Sequence, residues 1–147
     1  MKKMMLALGF FLTMTVTSAF ADEVKISSRV SESFKKEFST AQDVSWMAGS
    51  NFYRAAFKIN EQNIFAYYSL DGELIGMARY MSSLQLPVNL LTGLKNDYSQ
   101  YWISDLFEVN NSEGTRYYIT LENADSTLMM VSNNGGDWKQ QSKKRKI

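Results

Sequence analysis

"AYYSLDGELIGMARY", residues 66–80, decides the fold class, because two aromatic-rich runs alternate on either side of the dipeptide Asp71-Gly72. Alternation with a period of two is typical of a β-strand whose two sides meet different surroundings. Asp-Gly favours a two-residue type I′ turn, since both positions accept a positive φ. The stretch therefore predicts an antiparallel hairpin, and none of its side chains suggests catalysis.

The sequence before this hairpin predicts an amphipathic helix. Residues 27–40 read "SSRVSESFKKEFST", in which Val30, Phe34 and Phe38 recur at every fourth position. This spacing places the three side chains on one helical face. Either of the two serines that open the segment can cap the free N–H groups at the helix start.

Between this helix and the hairpin, we predict a connection at residues 41–49 and a strand in "NFYRAAFKI", residues 51–59. Residues 60–63 are polar and turn-like. A hairpin that closes at Glu61-Gln62 would pair Ile59 with Ile64. The segment around the opening stretch then becomes a three-stranded meander.

The second half of the chain repeats the same order of elements. Pro87 suits the first turn of a helix, where its missing N–H has no cost. The predicted apolar stripe of that helix consists of Val88, Leu91, Leu94 and Tyr98. The segments that follow are 101–109, a turn at 110–114, strands at 115–122 and 127–132, and the turn Asn133-Asn134-Gly135-Gly136.

Laying residue i against residue i+64 indicates a degenerate tandem repeat. The aligned pairs are Phe34 with Tyr98, Phe38 with Trp102, Tyr53 with Tyr117, Phe57 with Leu121, Ile64 with Leu128 and Gly72 with Gly136. We therefore predict an α+β fold whose tandem helix-plus-antiparallel-strand repeats, residues 27–82 and 87–142, form one antiparallel sheet with two helices packed on one face.

The N-terminal segment has the pattern of a secretory signal peptide, predicted to cover residues 1–21. Lys2 and Lys3 precede an apolar run, and Ala19-Phe20-Ala21 supplies a small-x-small cleavage site. The run at residues 4–17 is shorter than the roughly 20 residues that a membrane-spanning helix needs. We expect cleavage after Ala21, a periplasmic or secreted protein, and one domain over residues 22–142.

Charge is concentrated at the C-terminus, where residues 143–147 are predicted to be a basic tail. Without Lys2, Lys3 and the four basic residues 143–146, the remaining chain has 10 Lys and Arg against 15 Asp and Glu. This balance argues against nucleic-acid binding, which needs a basic face. We expect a solvated tail, with contact to anionic lipid or polysaccharide as the alternative.

The ordered motifs "FST-AQDVSW", "YRAAFKI", "YYSLDGELIGM", the "LP" before the second helix and "YYITLEN" resemble those of PepSY-like proteins. These exported bacterial domains are common in Bacteroidetes, and their fold is likened to that of beta-lactamase inhibitor protein (BLIP). The resemblance implies an extracytoplasmic non-enzyme that binds or inhibits another protein. It implies no catalytic residues, and the basic C-terminus departs from many members.

Composition removes most catalytic chemistry. The chain has no His and no Cys, which excludes Ser-His-Asp and Cys-His nucleophiles, thiolate zinc sites and imidazole ligands. A hydrolase built on paired carboxylates would draw on Asp43, Asp71, Glu73, Asp97, Asp105 and Glu108. Three of these, Asp97, Asp105 and Glu108, lack the spacing of a calcium loop. We predict no catalytic residues, no metal and no cofactor.

The remaining candidate for a functional site is one surface of the predicted sheet. If Tyr53, Ala55, Phe57 and Ile59 face the helices, the same side also carries Ala66, Tyr68, Leu70, Ile75 and Met77. The opposite side then shows Arg54, Lys58, Phe65, Tyr67, Leu74, Tyr80, Arg116, Tyr118, Met129 and Val131.

Tyr, Met and Arg are enriched at recognition surfaces. We expect this side to bind a protein or peptide, unless a loop, the tail or a second copy covers it. A different class of function is the binding of a small apolar or glycan ligand in an aromatic cleft between sheet and helices. Trp46, Trp102 and Trp138 are expected to be core or lid residues.

Overall fold

The computed structural model describes residues 24–147, so the predicted signal peptide lies outside the described residues. This part of the chain forms two α-helices and eight strands. Their bounds are α1 Ser28–Glu37, β1 Gln42–Ala48, β2 Phe52–Ile59, β3 Gln62–Ser69, β4 Leu74–Tyr80, α2 Val88–Asp97, β5 Trp102–Asn111, β6 Gly114–Glu122, β7 Ser126–Asn133 and β8 Lys139–Arg145. A short 3-10 turn, Ser83–Gln85, precedes α2.

The eight strands form one sheet in the order of the sequence, and each strand pairs antiparallel with the next. Each helix packs over its own half of the sheet and builds a separate apolar core. Both cores lie on one side, because Met77 of the first core pairs with Asn110, on the same side of β5 as Leu106 of the second. The predicted α+β fold is confirmed.

The first helix forms as its sequence indicates. The Oγ of Ser27 accepts from the N–H of Val30 at 3.4 Å, which caps the helix. Val30 and Phe34 are buried, and the ring of Phe34 lies 5.0 Å from that of Phe57 and 5.2 Å from that of Trp46. Aromatic contacts between α1 and the strands beneath it therefore hold the first core together.

The second helix is rotated relative to its predicted stripe. Leu90 and Leu94 are its buried residues, whereas Val88 is 79% exposed, so the placement of Val88 in the core is wrong. Pro87 occupies the N-cap position, one residue earlier than a first-turn proline. The indole N–H of Trp138 donates to the carbonyl of Leu90 at 3.0 Å, which ties α2 to the segment before β8.

The two halves of the repeat align with two sequence offsets instead of one, 60 for the helices and 64 for the hairpins that follow them. Val30 and Phe34 correspond to Leu90 and Leu94, 60 positions later, so the alignment of Phe34 with Tyr98 is wrong. In the β2–β3 and β6–β7 hairpins the predicted offset of 64 holds, because Phe57 and Leu121 occupy equivalent buried positions. The four additional residues lie in the longer hairpin between β5 and β6.

The hairpin between β2 and β3 closes one position earlier than predicted. Asn60 and Glu61 have φ values of 50° and 62°, the left-handed pair of a two-residue turn. Ile59 pairs with Gln62, so its predicted pairing with Ile64 is wrong by two residues. A shift of two leaves every side chain on its predicted side of the sheet.

The Asp71-Gly72 turn is not of type I′. Gly72 has a φ of 89°, but Asp71 does not have a positive φ. The N–H of Gly72 donates to Ser69, whose own N–H donates to the carbonyl of Glu73 at 2.8 Å, which closes a three-residue loop. A β-bulge follows, since Tyr68 pairs with Leu74 whereas Tyr67 pairs with Gly76.

Both edge strands differ from the prediction. Residues 41–49, expected as a connection, contain β1, whose side chains are mostly exposed and whose register is broken by a bulge near Asp43. In β1 only Trp46 packs against the first core, so the strand has little burial to mark an alternation and its sequence gives little signal. The expected basic tail is mostly strand, since Lys143, Lys144 and Arg145 pair with β7. Lysine side chains are a common protection of exposed sheet edges.

Candidate functional site: the open face of the sheet

The side of the sheet away from the helices, called here the open face, carries most of the predicted binding residues. Cross-strand partners in an antiparallel sheet point to the same side. Arg54 pairs with Tyr67, and Tyr80, Phe107 and Tyr118 pair in series across β4, β5 and β6. These side chains are half-buried or exposed, with Tyr80 at 38%, so no described loop seals the face.

Four rings form a continuous line on this face, called here the aromatic row: Phe65, Tyr80, Phe107 and Tyr118. Adjacent ring centroids are 5.9, 6.3 and 5.0 Å apart, in that order along β3 to β6. The last pair, Phe107 and Tyr118, is stacked with an interplanar angle of 12°. Contacts of this kind stabilise each ring's position, so the row is a rigid apolar surface.

Arg54 extends the aromatic row at its β2 end. Its guanidinium carbon lies 5.3 Å from the centre of the Phe65 ring, a cation–π geometry. The side chain also hydrogen-bonds to Tyr67, whose pKa is raised by burial and lowered in part by this cation. The Nε atom of Arg54 is buried and has no hydrogen-bond partner in the described part of the chain.

Lys58 lies on the same face beside a shallow depression of about 240 Å³, lined among others by Phe65 and Tyr80. Its Nζ is 3.1 Å from a carboxylate oxygen of Asp43. The hydrogen bond and charge of Asp43 raise the pKa of Lys58. The pair is exposed, so it contributes little to stability and remains accessible to a partner.

The predicted binding residues of the second half of the chain lie at the β6 end of the aromatic row. Tyr118 pairs with Val131, which is buried, and Met129 pairs with Thr120. Arg116 forms an ion pair with Glu113 in the adjoining turn. Arg116, Tyr118, Met129 and Val131 therefore share the side of the sheet that carries Phe107.

Leu74 does not belong to the open face, and its predicted placement there is wrong. The bulge puts Leu74 opposite Tyr68, on the helix-bearing side. The bulge also leaves Ile75, predicted to be internal, 42% exposed. Leu70, also predicted to be internal, lies in the turn and is 49% exposed. Strand parity failed here because one extra residue exchanges the two sides.

Three residues of the open face were missed by the sequence prediction. Phe107 is the centre of the aromatic row, Met47 pairs with Arg54, and the Phe52 ring lies 6.0 Å from that of Tyr67. A register shift between Ile103 and Asp105 disrupts the alternation that would have identified Phe107. Because β1 was not predicted as a strand, Met47 was not assigned to the open face either.

The three tryptophans have different surroundings. Trp46 and Trp138 pack against the two cores, as expected. Trp102, predicted to be a core or lid residue, is 53% exposed and is therefore not part of the core. The Nζ of Lys146 lies 5.1 Å from its ring centre and 2.7 Å from a carboxylate oxygen of Glu122, whose pKa it lowers.

The carboxylates considered for catalysis do not converge. Asp105 pairs with Thr120 on the open face, where burial raises its pKa. Glu108 lies on the helix-bearing side and accepts from Arg79. Within residues 24–147, no three acidic side chains form a group that could hold a metal ion. Neither helix in this range is long and apolar enough to span a bilayer.

Solved structures with the same architecture come from Bacteroides. A protein from Bacteroides eggerthii, provisionally described as periplasmic, has a TM-score of 0.72 at 14% identity, covering 83% of this chain and 90% of that chain. A BLIP-like protein from Bacteroides fragilis has a TM-score of 0.69 at 17% identity, covering 83% and 87%. A DUF2874 family protein from Bacteroides ovatus has a TM-score of 0.72 at 15% identity, covering 83% and 89%.

These similarities define the class of fold, a helix-backed, eight-stranded antiparallel sheet of the BLIP-like kind. No family model matches the sequence, and no curated protein matches it either.

Proposed function

We propose that the chain is an exported, non-enzymatic binding module that recognises a protein or peptide through its open face. The aromatic row carries this proposal. Phe65, Tyr80, Phe107 and Tyr118 form a connected line of rings that are only partly buried, on a sheet face that neither α1 nor α2 covers. Connected apolar surface of this kind on a soluble domain commonly marks a protein interface.

The residue types on the face support the same conclusion. Tyr, Phe, Met and Arg are enriched at protein interfaces, where rigid rings bury much area at little entropic cost. Cations flank the aromatic row on both sides, with Arg54 and Lys58 at one end and Arg116 at the other. A partner with an apolar centre and acidic flanks would match this arrangement.

Membership of the PepSY-like group and export are further parts of the proposal. The fold similarity to a BLIP-like protein and the motifs in the sequence support the grouping. The N-terminal pattern supports cleavage after Ala21, which leaves Asp22 as the first residue. Intact-mass analysis of protein recovered from the periplasm would test this; a mass that retains residues 1–21 would contradict it.

A small apolar or glycan ligand between sheet and helices has less support. Leu90 and Leu94 under α2, like Val30 and Phe34 under α1, are buried among core side chains. Native mass spectrometry of freshly purified protein would separate the two functions. A retained small-molecule mass would favour the ligand site over the open face.

The proposal is tested by affinity capture from a bacterial envelope fraction with matched variants. Tyr67→Ala/Tyr118→Ala removes two rings from the open face, and Tyr68→Phe/Tyr117→Phe changes the adjacent tyrosines on the other side. We expect the first variant to lose partners that the wild type and the second variant retain. Identical partner profiles for all three proteins would remove the open face as the binding surface.

A further inference from the structure

Arg54 is a charged side chain in apolar surroundings with an unused donor. It is half-buried between the Phe65 ring and Tyr67, and its Nε atom is fully shielded and has no hydrogen-bond partner from residues 24 to 147. Among residues 24–147 no carboxylate oxygen lies within ion-pair distance of it. Unsatisfied buried donors are rare in proteins, because each has lost its water without a replacement.

Three other cations of the open face already have acidic partners. Lys58 contacts Asp43, Arg116 contacts Glu113 and Lys146 contacts Glu122. Arg54 differs from them because the ring beneath it and the tyrosine beside it fix its plane while its charge stays uncompensated. A guanidinium fork held in this way presents its outer N–H groups in the geometry that a carboxylate accepts.

We propose that Arg54 is the anchor of the open face and binds a carboxylate side chain supplied by the protein partner. This inference rests on the proposed function and adds the chemistry of the partner: an Asp or Glu set among apolar residues. The carboxylate docks on the terminal N–H groups at the outer edge of the guanidinium and compensates its charge, while the shielded Nε takes no part in the contact. The apolar neighbours of the carboxylate lie along Phe65 and Tyr80 of the aromatic row. Arginines in such desolvated, ring-lined positions are common hot spots of protein interfaces.

The test uses two terminally blocked peptides, Ac-Leu-Asp-Leu-NH₂ and Ac-Leu-Asn-Leu-NH₂, which differ only in the carboxylate. Each is titrated into the processed protein while the arginine Nε–Hε signals are followed by NMR, with the Arg54 signal identified by its loss in Arg54→Lys. We expect the Asp peptide to shift that signal and to bind about ten-fold more tightly than the Asn peptide, the effect of roughly one charge-assisted contact.

Two variants decide whether Arg54 is responsible. Arg54→Gln should abolish the preference for Asp over Asn, while Lys35→Gln, which removes an exposed cation on α1, should keep it. Equal binding of the two peptides to the wild type, an unmoved Arg54 signal, or loss of the preference in Lys35→Gln instead would each overturn the proposal. The tyrosine variants above report separately on the face, so the anchor can fail while the proposed function stands.

Discussion

Tyr67 and Tyr68 are consecutive in the chain, yet their side chains lie on opposite sides of the sheet. Tyr68 is fully buried beneath α1, and its hydroxyl donates to a carboxylate oxygen of Glu37 at 2.8 Å. Tyr67 contacts Phe52 and Arg54 on the open face. Tyr117 and Tyr118 are divided in the same way on β6. Each pair therefore offers a comparison between a structural and a surface residue of identical type.

The Tyr68 hydroxyl should contribute to stability through its bond to Glu37. Tyr68→Phe removes this link between β3 and α1, and we expect the free energy of unfolding to fall by about 0.5–1.5 kcal/mol. Tyr118→Phe, which keeps its stacked ring, should change it by less than about 0.5 kcal/mol. Urea unfolding followed by circular dichroism measures both. Equal losses in the two variants would contradict the assigned sides.

Alkaline pH should destabilise the protein through the same residue. Burial, and then the hydrogen bond and charge of Glu37, raise the pKa of Tyr68 above its ordinary value of 10.0. The folded protein thus keeps a proton that the unfolded chain releases, so this contribution is intact below about pH 10 and is lost as pH rises further. Urea unfolding at pH 8 and about pH 11 should show a smaller loss in Tyr68→Phe than in wild type. A larger loss in the variant would contradict the raised pKa.

Sequence periodicity predicted the parts of the fold in which one side is buried and the other is not. Val30 and Phe34 mark the helix, and the alternation from Tyr53 to Tyr68 assigns two strands to their correct sides. The pairing error at Ile59 had no effect on those sides, because it amounted to an even shift. Alternation was therefore sufficient to assign side chains to the two sides of the sheet wherever the strand pairing is regular.

Irregular backbone explains most of what the sequence did not predict. Bulges at Ile75 in β4 and at Ser104 in β5 each add a residue, which misplaced Leu74 and left Phe107 unassigned. Strand β1 is mostly exposed and packs only Trp46 against the first core, so burial gives it little hydrophobic period. The aromatic row combines four strands, so no local pattern could reveal that its rings touch.

Glycine is required more strictly at one hairpin turn than at its counterpart in the other half. A Cβ on Gly72, whose φ is 89°, would lie 3.1 Å from the backbone of Arg29, whereas one on Gly135, φ 72°, would lie 3.9 Å from its nearest neighbour, Pro87. Both alanine variants carry a left-handed backbone cost of roughly 1–2 kcal/mol. We expect Gly72→Ala to lose more stability than Gly135→Ala in urea unfolding. The reverse order would contradict the close packing of this turn on α1.

The two halves of the sheet meet at β4 and β5, where Arg79 forms two 3.3 Å bonds to Glu108. Glu108 also accepts from Asn110 at 2.6 Å and has a side-chain exposure of 12%. Replacing it by Gln leaves Arg79 without its counter-charge, and we expect a loss of about 1–3 kcal/mol. The exposed pair of Lys58 and Asp43 is the control, since Asp43→Asn should cost much less than the change at Glu108. Similar losses for the two variants would show that the central pair has no special role.

Site-specific photo-crosslinking in the cell envelope decides whether the open face is the recognition surface. A photoreactive phenylalanine analogue is placed at position 67, 68, 117 or 118, one position per variant, and crosslinked products are resolved by mass. We predict adducts with a partner from positions 67 and 118, and none from 68 and 117, whose side chains face the helices. Adducts from 68 or 117, without any from 67 or 118, would show that the partner does not bind at the open face.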